Sequence, residues 1–311
     1  MNRPYGKPEG IDKRAETWYN RREKDRKRAK GKSGKTRNKG IRKREERENN
    51  QEGRGRRQAM FLDYAQIPGG EEYPFSCLGK IGKIGFGSRV TVFCGGNGQG
   101  KSTLLRLLAQ KSNCYSVGEG RAHFSGGVLS QVKTGKTEHA ADRFYFSAEE
   151  FLEYVLRLKQ MKSDARSELD AIDREGKFRG AAKGFASMPY ARTIHEIENM
   201  YGRELTVCSH GEGFLEFFKS RVHPAGLYFL DEPESALSYE NQYRLAYFIC
   251  ERAKEGCQFF IATHSPVLPL IPGAEIFQLK DGGAERKTFD ELTDIAFLRM
   301  FLARKGEKMF D

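Results

Sequence analysis

The chain has 311 residues, room for one large domain or two small ones, and its 38% hydrophobic content is low for a wholly folded chain. No apolar run nears the ~20 residues of a membrane-spanning helix, the N-terminus lacks the apolar core of a secretory leader, and the 6 cysteines form no C-x-x-C pair. A membrane-embedded, secreted or disulfide-built protein is therefore not expected; a soluble, cytoplasmic protein with reduced thiols is.

Residues 1–57 hold 22 Lys and Arg against 9 Asp and Glu, while the rest of the chain holds 32 against 33, so the formal charge of +12 belongs to the N-terminal segment. Its few apolar residues, such as Ile11, Trp18 and Ile41, cannot offset the entropy of ordering it, and a disordered tail is expected. Three readings stay open. It is a polybasic arm for DNA, RNA or an acidic partner; it is a solvated tail; or the true start is Met60, where folded-looking sequence begins.

From Met60 strands and helices alternate. Phe61–Tyr64 and Lys80–Phe86 read as early strands and Val90–Cys94 as an apolar, β-branched one. Gly95-Gly96-Asn97-Gly98-Gln99-Gly100-Lys101-Ser102 follows, fitting G-x-x-x-x-G-K-[ST], and Thr103 continues into a helix over Ser102–Gln110. In that strand–loop–helix setting, glycines let successive N–H groups turn inward onto phosphate oxygens, and the helix N-terminus adds positive potential. Lys101 would reach the β- and γ-phosphates of ATP and the Ser102 hydroxyl would ligate Mg2+.

Residues 116–142 are weakly patterned. Arg143–Phe146 then reads as a short strand and Phe151–Met161 as an amphipathic helix, followed by a polar segment to about Tyr201 and a helix over Gly211–Ser220. Gly226–Leu230, Gln258–Ala262 and Glu275–Lys280 read as buried strands, with a helix over Glu240–Lys254 between the first two. Apolar strands separated by helices predict an α/β fold with a mainly parallel sheet covered on both faces. The strand Leu227–Leu230 ends in Asp231 and Glu232. With the upstream phosphate loop, Asp231 suits the Mg2+ site and Glu232 suits a general base that directs water.

Asp231-Glu232-Pro233, Ser235-Ala236-Leu237-Ser238 and Ala262-Thr263-His264-Ser265-Pro266 resemble, in order, the Walker B, D-loop and switch-histidine motifs of the ATP-binding-cassette (ABC) ATPases. Ser209-His210-Gly211-Glu212 resembles their signature, usually written SGGQ. The string is most similar to small single-cassette bacterial ATPases of the AAA family, related to the SMC/RecF-type branch. The resemblance covers about Phe61 to Phe301, so residues 60–301 are expected to form the cassette, with a short helical lid near 150–208 and a C-terminal tail over 302–311. It implies a P-loop NTPase fold, ATP and Mg2+ as ligands, and ATP-driven head-to-tail homodimerisation. Ser209 and Gly211 would touch the ATP of the second copy, and His264 would sense the γ-phosphate.

This chain departs from the family pattern at His210 and Glu212 and has no clear Q-loop glutamine. Glu149, between a strand and a helix, is the preferred match over Gln131. Tyr73 and Phe75 are the candidates for stacking on adenine. Residues 150–208 carry no sustained heptads, so no long coiled-coil arm is expected, and the chain after His264 is too short for an added nuclease domain. The expected function is an ATP-gated switch on a partner protein or nucleic acid. The alternatives are the ATP-binding subunit of a membrane transporter and a nucleic-acid-binding module that uses the basic tail.

Overall fold

The chain divides into a segment Met1–Arg57 and a body Gln58–Asp311. The structure, a computed structural model, describes residues 60–117, 124–135, 140–176, 179–199 and 210–303. The basic tail lies outside the described residues, and of the expected C-terminal tail over 302–311 only Leu302 and Ala303 are described, as the end of a helix.

The elements run β1 (Tyr64–Gln66), α1 (Phe75–Leu78), β2 (Lys83–Gly85), β3 (Val90–Cys94), α2 (Lys101–Lys111), β4 (Tyr115–Ser116), α3 (Gly126–Gln131), β5 (Lys133–Gly135) and β6 (Arg143–Ser147). They continue with α4 (Ala148–Glu175), α5 (Ala181–Asn199), α6 (His210–Arg221), β7 (Leu227–Asp231), α7 (Tyr239–Lys254), β8 (Gln258–Ala262), β9 (Glu275–Lys280), β10 (Gly283–Lys287) and α8 (Thr293–Ala303). The main sheet has the order β10-β9-β3-β8-β7-β6-β4. Its pairings are parallel except β9 with β10. A small antiparallel sheet, β2-β1-β5, stands apart from it.

The strands are apolar on both sides because both sides are covered, and their period of two sorts the side chains. Val92, Phe146, Tyr228, Leu230, Phe259 and Ile261 face one core, completed by Phe151 of α4, Phe214 and Phe217 of α6, and Leu245 and Ile249 of α7. Phe93, Tyr145, Phe229, Phe260 and Phe277 face the other, where Leu104, Leu105, Leu107 and Leu108 of α2 and the small sheet cover them. Rings meet across neighbouring strands: Phe229 stacks on Phe260 at 5.0 Å, and Phe86 lies edge-on to Phe260 at 4.8 Å. Full burial of each such ring stabilises the fold by about 1.5–3 kcal/mol.

Several expected boundaries shift. The first strand is Tyr64–Gln66 rather than Phe61–Tyr64, because Phe61 and Leu62 instead offer their N–H groups to the Gln258 side chain at 3.0 Å. The second shortens to Lys83–Gly85, since Gly82 takes a left-handed turn before it. Residues 116–142, weakly patterned in sequence, contain α3 and β5. The helix expected over Phe151–Met161 begins at Ala148 and is longer than its apolar stripe predicts. α4 runs on to Glu175, and the polar segment beyond it forms α5, held to α4 by Lys162 to Glu198 at 2.6 Å and by buried Ala165 and Ile197.

Candidate nucleotide-binding site

Parallel strands put all their C-terminal ends on one edge, the usual place for a ligand in such sheets. β3 delivers the loop 95–100, β7 delivers Asp231 and Glu232, and β8, lying between them, delivers Thr263, His264 and Ser265. Three motifs far apart in sequence thus share one edge because of strand order.

The loop needs two of its glycines for reasons visible in the backbone. Gly95 sits at φ 142°, where a Cβ would lie 2.4 Å from the Leu279 carbonyl oxygen of β9. Gly100, the residue before α2, sits at φ 85° with a Cβ position 2.9 Å from the Leu78 side chain. Side chains are strained at positive φ, and here they also lack space. Gly96, Asn97 and Gly98 are exposed, and Gln99 accepts from the Asp281 N–H at 2.8 Å, tying the loop to the turn after β9.

Lys101 is buried at 5% exposure and donates to the Gly95 and Gly96 carbonyls, each at 2.9 Å. Burial lowers its pKa, and the carboxylates of Glu232 and Asp231 oppose that. Ser102 donates to Asp231 Oδ1 at 2.9 Å. Both are hard oxygen donors at one point. A Mg2+ ion takes one or two such protein oxygens and leaves its other positions to phosphate and water, so these residues fit it. Burial raises the Asp231 pKa, and hydrogen bonds from Tyr145 and Ser102 act against that rise.

Glu232 has a left-handed φ of 47°, a conformation uncommon for a residue with a Cβ and typical of functional sites. Its N–H is held by the Ala262 carbonyl at 2.9 Å, and its carboxylate lies 3.5 Å from His264 Nε2 and 3.3 Å from the Ser235 hydroxyl. Glu234 is buried. Its Oε1 accepts from the Thr263 hydroxyl at 2.6 Å, the His264 N–H at 2.7 Å and the Ser265 N–H at 3.1 Å. Its Oε2 is buried with no hydrogen-bond partner among the described residues. Ser265 also donates to Gln242 of α7 at 2.7 Å.

The structure brings together Lys101, Ser102, Asp231, Glu232 and His264. Thr103, next on α2, has its hydroxyl 3.4 Å from that of Tyr73, whose ring is 62% exposed and 5.9 Å from Phe124. Of the two aromatics expected to stack on adenine, Phe75 is a core residue and Tyr73 is the exposed one. Gln131 ends α3, with its amide on the Gly127 carbonyl. Glu149 is exposed in the first turn of α4, and the next residue, Glu150, is the one turned into the protein. Gly211 falls in the first turn of α6, and Ser209 lies outside the described residues.

Sequence reasoning missed a second layer. Tyr145 donates to Asp231 Oδ2 at 2.8 Å, Arg106 Nη2 lies 3.4 Å from the Tyr145 hydroxyl, and Glu150 lies 3.5 Å from Arg106 and accepts from Ser116 at 2.7 Å. Two signals were present. Arg106 is four residues after Ser102, hence on the same helix face, and Tyr145 is the polar-tipped member of the strand Arg143–Ser147 that alternation turns toward α2. Glu234 gave none beyond its place in the acidic string.

Residues 137–270 match the family described as "AAA domain, putative AbiEii toxin, Type IV TA system". The chain is 25% identical over 208 residues to the hemin import ATP-binding protein HmuV of Aliivibrio fischeri, a match that covers 62% of this chain and 71% of that protein. Similar solved structures include the Smc head domain with an extended coiled coil bound to the C-terminal domain of ScpA from Pyrococcus furiosus, at 13% identity and TM-score 0.42 over 79% of this chain and 99% of that one. Another is a nucleotide-free ATP-binding cassette from an ABC transporter, at 16% identity and TM-score 0.43 over 78% of this chain and 96% of that one. In motif order, in the parallel sheet and in the family and curated matches, the chain is similar to the ABC-type P-loop ATPases.

Proposed function

We propose that the chain binds and hydrolyses ATP and that ATP gates the head-to-tail pairing of two copies, which switches a partner protein or nucleic acid. The observation that carries the reading is the 2.9 Å contact of Ser102 with Asp231, with Lys101 and Glu232 at the same sheet edge. In this reading the loop amides of 95–100 and Lys101 hold the phosphates. For that, Lys101 gives up its two loop carbonyls for phosphate oxygens. Ser102 and Asp231 would hold Mg2+, which supplies charge neutralisation on the phosphates when bound. Glu232 orients a water and takes its proton, and the left-handed backbone turns its carboxylate beside His264. His264 hydrogen-bonds the terminal phosphate, while Ser209 and Gly211 of a second copy complete the site from a helix start. Tyr73 stacks on adenine.

The curated relative favours one other reading, a cassette that serves a separate membrane permease, since that protein's name makes it a hemin import ATP-binding protein. Recovery of the chain with the membrane fraction would favour it.

Phosphate release and filter binding of labelled ATP test the chemistry. Lys101→Ala should lose ATP binding. Glu232→Gln should keep binding and lose about 100-fold or more of the turnover, the usual range for a general base. Unchanged turnover in Glu232→Gln removes Glu232 from the role.

A further inference from the structure

Asp231 carries two oxygens, and the protein treats them differently. Oδ1 receives Ser102 from α2, while Oδ2 receives the Tyr145 hydroxyl from β6 at 2.8 Å. The sheet explains how. β6 and β7 are parallel neighbours, with Tyr145 opposite Phe229 and Ser147 opposite Asp231. Tyr145 and Phe229 face the α2 side together, and the long phenol spans the one remaining step to the end of β7. A phenylalanine would fill the same space without reaching Asp231 chemically.

The phenol is itself held. Arg106 Nη2 donates to its oxygen at 3.4 Å and the guanidinium lies 5.6 Å from the ring centre. Arg106 is anchored by Glu150, which lies in the first turn of the lid helix α4 and is fixed by Ser116 of β4. With an arginine donating to its oxygen, the Tyr145 hydroxyl has one proton to give and one carboxylate to give it to. Each member is buried or half-buried, so the geometry is fixed by packing.

We infer that Tyr145 is a positioning residue for the metal site, holding the Asp231 carboxylate in one orientation so that Oδ1 faces Ser102, and that Arg106 and Glu150 hold Tyr145 in turn. This rests on the reading of Asp231 and Ser102 as the Mg2+ site. Groups that hydrogen-bond a metal's carboxylate ligand typically change metal affinity about 10- to 100-fold when removed.

The test uses Mn2+ as probe, titrated by electron paramagnetic resonance against the full-length protein with ATP. A Glu232→Gln background keeps the nucleotide intact. Tyr145→Phe should weaken Mn2+ binding about 10-fold or more, with ATP affinity measured in EDTA and the melting temperature both close to the parent's. Arg106→Gln should weaken Mn2+ binding less, because Tyr145 keeps its proton, and should add little on top of Tyr145→Phe. That pattern is not expected of a residue that only packs the core. Mn2+ affinity within about twofold of the parent in whichever variant folds overturns the inference. A parent that binds no Mn2+ with ATP overturns instead the assignment of the nucleotide site on which it rests.

Discussion

Glu234 shows how one buried carboxylate sets the geometry of a neighbouring loop. Three donors from residues 263–265 converge on its Oε1, and the backbone N–H of His264 is among them. Removing it as Glu234→Ala would strand these donors, at about 1–3 kcal/mol for each one left buried. Burial also raises its pKa above the ordinary glutamate value, against the pull of those hydrogen bonds. The native state therefore holds the proton to higher pH than the unfolded chain, and the orphan Oε2 is where it would sit. A raised carboxyl contributes stability that is full below the unfolded value and lost as pH rises through the folded one. Urea unfolding of the wild type and Glu234→Gln should show the wild type's relative stability falling from pH ~4.5 toward neutrality. A difference that grows with pH would mean the carboxylate is stabilised as a charge. The site's first layer, Lys101, Ser102, Asp231, Glu232 and His264, was legible because each sits in a motif with a fixed offset. The second layer, Tyr145, Arg106, Glu150 and Glu234, was not, because its members are joined only by strand order.

Among the elements, β3, β8 and β9 were readable to the residue, since continuous apolar runs bounded by turns admit few other states. The strands β1, β2 and β5 have three residues each, too short for a period to register. α5 was hidden by Gly184 and the internal Pro189, which lower intrinsic helix preference, and its packing on α4 overrides them. α6 starts at His210, in the stretch that resembles the signature, and is locked by aromatic packing. Phe217 lies 6.0 Å from Phe144, 5.6 Å from Phe146 and 5.0 Å from Phe151, ring centre to ring centre. Phe217→Ala should cost about 3–5 kcal/mol of unfolding free energy. A loss under about 1 kcal/mol by chemical denaturation would contradict a packed anchor there.

For the molecule as a whole, charge and chemistry lie in different parts of the chain. The net positive charge is in residues 1–57, while the candidate nucleotide site lies in a body of nearly balanced charge. Within one copy the loop 95–100, Ser102, Asp231, Glu232 and His264 share one sheet edge. The signature, on α6 and the segment before it, serves a second copy in the proposed mechanism. Sedimentation of the wild type and Glu232→Gln with and without Mg-ATP reads whether ATP joins two copies. Glu232→Gln should shift from monomer to dimer with Mg-ATP and stay monomeric without it, while the wild type should pair only transiently as it turns over. A Glu232→Gln protein that binds ATP yet sediments as a monomer at all nucleotide concentrations would contradict that pairing.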